Sequence, residues 1–498
     1  MKNYYLLFFL FCSLVVIAQN KYDYVWKTGY GGEGNFKKYL NASILNFNND
    51  TLIIKADSIR VSTAFANAGI CDKNGNLLCY TGGYWLEDTK ADVIPGSMNL
   101  INHTDSSFIK ILEKDGVYGG IQSILMLPTP EKEDKEFYVF NFANDTFHLY
   151  FDDFAYTKVS FDSSHFYVEE KCKIVTNSKS FSSAYLTACR HGNGRDWWVF
   201  AIEYGNKFGH LFLFTKDGII QDNEILLGGI IIDSINDGVA CFTNDGEKLA
   251  IYNFENGLWL YDFNRCTGEI KNLQTIQING ESKKISTSFP RGMANSPDSR
   301  FLYINKVLYL YQFDLFAKDI AASKFLLAEV DSTKDTFGIF TVAFSNMQLA
   351  PNNKIYMSNS GGLDYLHSIE NPNEKGAAAN FTRRSVKLPT YQAWCLPNYP
   401  NFRLGAAKGS LCDTITGMPY EKEVVLLFPN PYVSGDNLNL QYNGKAPAEF
   451  ILYDITGRLV YRKQLQQTSE SQYLQLPSFP IGNYVWKVGS TVGKLQIY

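Results

Sequence analysis

Short runs of aromatic and β-branched residues, each entered from a polar turn, dominate the chain. Clear examples are Glu136–Phe142, Asp196–Ile202 and Arg300–Asn305. Runs of this composition between turn residues are typical of β-strands. Helical periodicity is confined to two short stretches, Ser106–Glu113 and Leu315–Ala322. The pattern predicts an all-β protein with very little helix.

The polar turns recur every 52 to 60 residues along the body of the chain. They are Asn74-Gly75, Glu133-Asp134, Asn193-Gly194, Asp245-Gly246, Asp298-Ser299 and Asn352-Asn353. Asn-Gly and Asp-Gly favour tight hairpins because these residues adopt positive φ at low cost. A strand-rich unit repeated at this period indicates propeller blades, which bury their faces only against neighbouring blades. We therefore predict a six- or seven-bladed β-propeller over residues 22–405, in preference to two β-sandwich domains.

The N-terminus has the composition of an export signal. Lys2 precedes the apolar run Tyr5–Ile17 and the small residue Ala18. This arrangement predicts a signal peptide over residues 1–18, cleaved between Ala18 and Gln19. The run is too short to cross a bilayer, and no other apolar run approaches the required length. We therefore expect no transmembrane segment in the mature chain.

The composition changes again near the C-terminus. The small residues of Gly405–Ser410 predict a linker over 406–423, followed by a compact unit over 424–498. Within that unit, two prolines near its start predict an extended backbone there, Asp454–Gly457 predicts a hairpin turn, and Gly482 is predicted to begin a strand. The alternating strands of this unit predict a small C-terminal β-sandwich.

This terminal unit resembles the type A sorting domain of the type IX secretion system. The resemblance is carried by Pro429, Asn430, Pro431, Asp454, Gly457, Gly482, Tyr484 and Lys494. It implies two partners, the outer-membrane translocon and the peptidase that removes the domain after passage. It also implies that the protein is either released or attached to the outer cell surface.

Several segments of the body are similar to exported, WD40-like propeller proteins of the Bacteroidetes type. These segments are Gly69–Gly83, His191–Val199, Met347–Tyr356, Ile369–Asn373 and Cys395–Phe402. The chain departs from that family where Gly82-Gly83-Tyr84-Trp85 replaces the more usual acidic loop and where Cys79 replaces an aromatic residue. Because the family carries no agreed enzymatic activity, the resemblance implies fold and location but no chemistry.

Composition narrows the possible functions. The chain has 46 Lys+Arg against 50 Asp+Glu, a net charge of −4, so it lacks the basic surface that nucleic acid requires.

Eight cysteines follow the signal peptide, and an exported protein can form disulfides. The pairs Cys71–Cys79 and Cys395–Cys412 are candidate disulfide bonds, and the alternative is that these cysteines are buried free thiols. No CxxC pair and no His at zinc-ligand spacing is present, so we predict neither a metal nor a cofactor.

No catalytic motif is recognisable, since neither HExxH nor GxSxG occurs. His191, Arg195 and Asp196 form the chemically most varied cluster, which we interpret as a turn rather than a channel site. The aromatic residues around Tyr84 (Tyr80, Tyr84 and Trp85) suit either sugar stacking or packing between blades, and we favour packing.

These observations favour a secreted or cell-surface binding protein whose propeller loops engage a glycan or a protein, and they leave enzymatic activity undecided. The alternative is an exported hydrolase or lyase with its active site in the propeller channel. Carboxylates and His lining the channel would favour the enzyme, whereas apolar side chains there would favour binding.

Overall fold

The computed structural model describes two compact units, Met1–Asp413 and Thr414–Tyr498. The residues that it describes are 20–31, 41–49, 51–145, 150–162, 165–176, 180–205, 207–228, 238–278, 291–306, 308–334, 338, 341–392, 394–410, 412–413, 425–442, 449–465, 472–488 and 491–498. The predicted signal peptide and its cleavage site at Ala18-Gln19 lie outside them. No described helix has the length and apolar character needed to cross a membrane.

The described part of the first unit contains seven antiparallel sheets that follow one another along the chain. The first two are three-stranded: β1 (Val25–Tyr30), β2 (Asn41–Asn46) and β3 (Ile53–Asp57), then β4 (Ala68–Cys71), β5 (Leu77–Thr81) and β6 (Leu86–Asp88). The third contains β7 (Ile124–Pro128), β8 (Glu136–Asp145), β9 (Tyr150–Phe161), β10 (Phe166–Thr176) and the short β11 (Phe181–Ser182).

The remaining four sheets of this unit have four strands each, paired in chain order. They are β12 (Thr187–Arg190), β13 (Trp197–Ile202), β14 (Phe208–Thr215) and β15 (Gly218–Leu226); β16 (Gly238–Phe242), β17 (Lys248–Asn253), β18 (Gly257–Phe263) and β19 (Ile270–Ile276); β20 (Met293–Asn295), β21 (Phe301–Lys306), β22 (Tyr309–Asp314) and β23 (Phe325–Glu329); β24 (Phe344–Leu349), β25 (Ile355–Asn359), β26 (Leu363–Ile369) and β27 (Phe381–Gln392).

The first unit is a β-propeller. First strands of successive sheets contact one another, β12 with β16, β16 with β20 and β20 with β24, as they do around a propeller axis. The last strand, β27, contacts the N-terminal sheet β1–β3, which in turn contacts β4 through β1. The N-terminal sheet therefore joins the last sheet to the second one and closes the ring.

The repeated turn has the same structural position in six successive sheets. Each of the six turns connects the first strand of its sheet to the second, from β4–β5 to β24–β25. Backbone hydrogen bonds close them, for example Gly246 N–H to Thr243 O at 2.8 Å and Asn353 N–H to Ala350 O at 3.0 Å. We call the side of the propeller that carries these turns the turn face.

Aromatic side chains fill the spaces between sheets, as the sequence predicted. Phe154 of β9 and Phe212 of β14 stack with their ring centroids 4.5 Å apart, and Tyr138 of β8 meets Phe214 of β14 at 4.7 Å. Every residue of β13 is buried, which requires that both faces of its sheet be covered. The high aromatic content is therefore largely the core of the propeller.

One of the two predicted helices forms. Helix α1 (Ser106–Asp115) is capped by Asp105, whose carboxylate accepts from the N–H groups of Ser107 and Phe108. The prediction for Leu315–Ala322 is wrong, because this stretch is a series of turns that ends in a 3-10 turn at Ala321–Ser323. The Asp314 carboxylate accepts from the Phe316 N–H at 3.1 Å and stabilises the first turn instead.

The structure pairs Cys412 with Cys266, not with Cys395. Cys395 is a buried free thiol, and Cys71 and Cys79 are also unbonded. The disulfide joins residues 146 positions apart and lies against Gly192, where any side chain would overlap both sulfur atoms. The predicted linker 406–423 thus begins with residues that contact the first unit, whereas 414–423 lie outside the described residues.

The second unit contains two sheets around one hydrophobic cluster. One sheet has the order β28 (Val425–Phe428), β29 (Leu438–Tyr442) and β32 (Gln472–Leu474). The other has the order β31 (Leu459–Gln464), β30 (Glu449–Tyr453), β33 (Gly482–Val488) and β34 (Thr491–Ile497). Leu440, Leu452, Trp486 and Leu495 are among the buried residues that both sheets contribute to this cluster. Two sheets that enclose a shared core are the arrangement on which the predicted sandwich depends.

Candidate functional site

The centre of the propeller is filled by its own chain. We call residues 394–405, which follow β27, the axial segment. Asn398 is its central anchor: its N–H donates to Asn67 O at 2.9 Å, and its side-chain amide donates to Ile124 O and Leu186 O at 3.0 and 2.9 Å. These three carbonyls belong to residues at or near the first strands of three sheets. The axial segment therefore uses the hydrogen-bonding groups that would otherwise face an open channel.

Further contacts hold the axial segment on either side of Asn398. The Asn346 side chain accepts from the Leu396 N–H at 3.1 Å, and Asn401 donates to Asn244 O at 2.8 Å. Beyond these, Nη1 of Arg403 forms an ion pair with both carboxylate oxygens of the buried Asp23, at 2.6 and 2.7 Å. The space left beside the segment is a cavity of about 70 Å³, too small for more than a few water molecules.

The lining of this axial cavity bears on the choice between binding and catalysis. No His, Asp or Glu occurs among its described lining residues, which are mainly amides, apolar side chains and thiols. Burial raises the pKa of Cys189 and of Cys241 to about 12, so these thiols are not poised to form nucleophilic thiolates. The described lining thus lacks the His and carboxylate side chains that would favour a channel active site.

A larger opening lies on the turn face, between the second and third sheets. We call it the turn-face cleft; its volume is about 790 Å³, within the range of ligand-binding clefts. Its lining comes from the β4–β5 turn, the β7–β8 turn and the edge of strands β9 and β10. The lining residues are Asp72, Asn74, Leu78, Asp134, Lys135, Glu136, Ser160, Phe161, Asp162 and Tyr167.

Aromatic and carboxylate groups meet in this cleft. Tyr167 lies on the edge strand β10 and is 52% exposed, so part of its ring is accessible from the cleft. Its hydroxyl donates to the Asp162 carboxylate at 3.4 Å. The half-buried Phe161 packs against Phe137 and Phe166, which hold this end of the cleft in place.

The polar groups of the cleft are held by local hydrogen bonds. Asp72 accepts from the N–H groups of Asn74 and Asn76 at 2.8 and 2.9 Å, which shapes the β4–β5 turn. Lys73 bridges to Asp134 of the neighbouring turn at 2.6 Å, and this pairing raises the pKa of the Lys73 ammonium. The two turns are thereby joined, and one of the cleft carboxylates is neutralised.

The residues that the sequence marked as candidates have other roles. His191 accepts from the Asn193 N–H at 3.0 Å, and Asn193 donates to the Asp196 carboxylate at 2.6 Å, so the cluster is a hydrogen-bonded turn as interpreted. Burial lowers the pKa of His191. Arg195 points away to Glu131 at 2.7 Å.

The aromatic residues near Tyr84 are packing residues. Tyr80, Tyr84 and Trp85 are each at most 4% exposed, which leaves no face for a sugar ring. Tyr80 and Trp85 instead donate to the fully buried Glu87 at 2.6 and 2.9 Å.

The predicted sorting residues occupy the turns and strand ends of the second unit. Gly457 donates to Asp454 O at 3.0 Å and closes the β30–β31 hairpin, and Gly482 begins β33. Asn430 donates to Lys494 O at 2.7 Å, and Tyr484 donates to Pro480 O at 2.8 Å. The Pro429 and Pro431 peptide bonds are both cis. These contacts give the residues structural positions, and their part in sorting stays a prediction.

Comparison with known proteins identifies the terminal unit. Residues 426–496 match the family described as "Secretion system C-terminal sorting domain". The chain therefore carries a type IX sorting domain, which marks proteins that are secreted and then released or attached to the outer cell surface. No curated protein matches the chain.

Solved structures resemble the chain only distantly. A functionally unknown protein from Desulfotomaculum acetoxidans is 12% identical, covers 75% of this chain and 100% of its own, and has a TM-score of 0.38. A putative 6-phosphogluconolactonase from Bacteroides fragilis is 13% identical over 92% of this chain and 99% of its own, with a TM-score of 0.34. The Cps50 (Swd1) β-propeller domain of Myceliophteria thermophila is 10% identical over 66% and 92%, with a TM-score of 0.34. None of these likenesses bears on function.

Proposed function

We propose that the protein is an exported, non-enzymatic binding protein whose turn-face cleft holds a neutral glycan. Its sorting domain supports delivery to the outer surface or the medium, where such ligands occur. The observation that carries the proposal is the 52% exposed ring of Tyr167 beside the carboxylates of an open cleft. A tyrosine ring offers an apolar face to the C–H groups of a sugar.

The charges of the cleft favour a neutral ligand over an anionic one. Carboxylates only accept hydrogen bonds, so Asp72 and Asp162 suit ligands rich in hydroxyl donors. Lys73 is already paired with Asp134, and Lys132 and Lys158 lie 3.3 and 3.4 Å from Glu136. The cleft lining itself holds four carboxylates against the single ammonium of Lys135, so it carries net negative charge and an anion would meet repulsion there.

The alternative of an exported hydrolase or lyase with a channel active site finds little support. The axial segment occupies the channel, and the described lining of the remaining cavity has no His or carboxylate. An enzyme of either class would need at least one acid–base group at the bond that it cleaves.

A glycan array probed with the purified protein tests the proposal. We expect binding to neutral oligosaccharides that Tyr167→Ala weakens roughly tenfold, the equivalent of about 1.4 kcal/mol and within the range of an aromatic contact. Tyr473→Ala is the matched control, because Tyr473 is also exposed, at 61%, but lies in the second unit.

Three results would contradict the proposal. Binding that is unchanged in Tyr167→Ala would place the glycan elsewhere, and binding only to anionic glycans would refute the charge argument. Release of new reducing ends from a bound glycan would identify the protein as an enzyme.

A further inference from the structure

The sheet β12–β15 and the residue after β13 form a partly buried cluster of one imidazole and several carboxylates, far along the chain from the residues of the cleft. His210 lies on β14, and Glu224 is its directly paired neighbour on β15. Glu203 comes immediately after β13. The side chains of His210 and Glu203 are only 2% and 5% exposed, whereas Glu224 is exposed. The three residues each bring one ligand atom to within 4.8 Å of the others.

The orientation of the imidazole is fixed on both sides. Its Nδ1 lies 2.8 Å from the Asp222 carboxylate, and its Nε2 lies 2.8 Å from the Glu203 carboxylate. Phe181 and Phe212 pack against the ring, with centroids at 5.4 and 5.7 Å. Metal-binding histidines usually donate their second ring N–H to a carboxylate in this way, which directs the other nitrogen at the ion. Asp222 thus leaves Nε2 directed at Glu203.

We propose that Glu203, His210 and Glu224 bind a divalent transition-metal ion of the zinc class, with Asp222 as a positioning residue. One imidazole nitrogen and two carboxylates are a donor set that zinc accepts, whereas calcium and magnesium prefer oxygen ligands alone. Zinc ligands lie about 2.0–2.2 Å from the metal, which places the donors of a tetrahedral ion about 3.4 Å apart. The Nε2 of His210 and the Glu203 carboxylate lie 2.8 Å apart in a hydrogen bond, so the ion would replace the proton between them and move the two groups apart by about 0.6 Å.

The exposed position of Glu224 suits the last ligand to engage. Its side chain can turn toward the ion at the surface without repacking the buried aromatic residues around His210. Three protein ligands leave a fourth position of a tetrahedral ion for water or for a group from a partner. The ligands come from β14, from β15 and from the residue that follows β13, at sequence separations of 7 and 14 residues. These spacings match no compact zinc motif, which is why the sequence predicted no metal.

Titration of the purified protein with zinc chloride, after treatment with EDTA and removal of the chelator, tests the site. We expect one zinc per chain by calorimetry, and at least a tenfold loss of affinity in Glu224→Gln. Asp222→Asn should weaken binding 10- to 100-fold, as second-sphere changes do at other sites. His165→Gln is the control, because this exposed histidine lies between β9 and β10, outside the cluster.

Cobalt(II) provides a readout that a purely structural role of the cluster would not change. Cobalt bound to one nitrogen and two carboxylates should give visible absorption bands in the wild-type protein, and Asp222→Asn should shift them. Thermal unfolding in EDTA checks that each variant is folded. The proposal is overturned if the folded wild-type protein binds no zinc, or if Glu224→Gln and Asp222→Asn both bind it with wild-type affinity. Loss of zinc in His165→Gln would equally overturn it.

Discussion

The disulfide between Cys266 and Cys412 should stabilise the propeller mainly by restricting its unfolded chain. The two cysteines are 146 residues apart. In the loop-entropy model a closed loop of that size removes about 17 cal/mol/K from the unfolded ensemble, or about 5 kcal/mol at 25 °C. Native disulfides commonly contribute 2–4 kcal/mol, so we expect the double variant Cys266→Ser/Cys412→Ser to lose between about 2 and 5 kcal/mol.

Hydrogen bonds near the disulfide hold the same segments together in the folded state, but they do not restrict the unfolded chain. Ala407 N–H donates to Gly192 O at 2.8 Å, and Arg265 donates to Gly405 O. Each such hydrogen bond has a net value of about 1 kcal/mol, well below the entropy that the covalent link removes. Removing the link should therefore lower the free energy of unfolding even though the folded contacts persist.

Guanidinium unfolding followed by tryptophan fluorescence measures the effect on the propeller. Six of the seven tryptophans belong to the first unit and only Trp486 to the second. Cys172→Ser is the matched control, because Cys172 is a half-buried free thiol. A loss below about 1 kcal/mol in the double variant, with an unchanged denaturant slope, would refute the reasoning. The same loss in Cys172→Ser would show that the effect does not come from the cross-link.

Three further predictions concern the core and the sorting domain. Burial lowers the pKa of His367 to about 3, so below pH 6.5 only the unfolded state binds its proton, and the free energy of unfolding should fall by about 1.4 kcal/mol per pH unit. Urea unfolding between pH 6 and 4 should show a shallower pH dependence in His367→Gln, and identical slopes would contradict this. Glu87→Ala leaves Tyr80, Trp85 and the Val61 N–H without their acceptor, so it should lower the free energy of unfolding by about 3–5 kcal/mol. Glu87→Gln keeps an acceptor oxygen and should lower it by about 1–3 kcal/mol. Urea unfolding measures both, and a loss below about 1 kcal/mol in Glu87→Ala would contradict the prediction. Deletion of residues 424–498 should keep the protein inside the cells, which an immunoblot of the cells and of the medium would measure. Appearance of the truncated protein in the medium would show that the sorting domain is dispensable.

Local chemistry explains what the sequence could predict. Three of the six turns were recognisable because Asn-Gly and Asp-Gly pairs encode a hairpin within four residues, and the other three because polar pairs recur at a similar spacing. Phe154 and Phe212 could be assigned to a packed core from composition alone, although not to each other. The assignment of Tyr80 and Trp85 to packing was likewise correct, while their buried acceptor Glu87 was missed. A single Glu after an aromatic pair gives no sequence signal that its carboxylate will be buried.

Features that depend on ring closure could not be predicted in the same way. The partner of Cys412 depends on which sheet the chain lies against after the ring is closed, and that partner is Cys266. Cys395, which is nearer in the sequence, was therefore a misleading candidate. The turn-face cleft combines Asp72 and Asp134 from turns of two sheets with Tyr167 from the edge of the second of these. An exposed tyrosine within an alternating strand was the one local signal that could have found the cleft.

The axial segment has a consequence for where any ligand can bind. Asn398 joins backbone carbonyls near the first strands of three sheets, and Arg403 anchors the segment to the buried Asp23. A ligand that entered the channel would have to displace these hydrogen bonds and leave Asp23 buried without its partner, at a cost of several kcal/mol. Ligands that bind without this cost must use either face of the propeller or the outer parts of the sheets. The turn-face cleft and the His210 cluster both lie in such positions, so each can be occupied while the centre of the propeller stays closed.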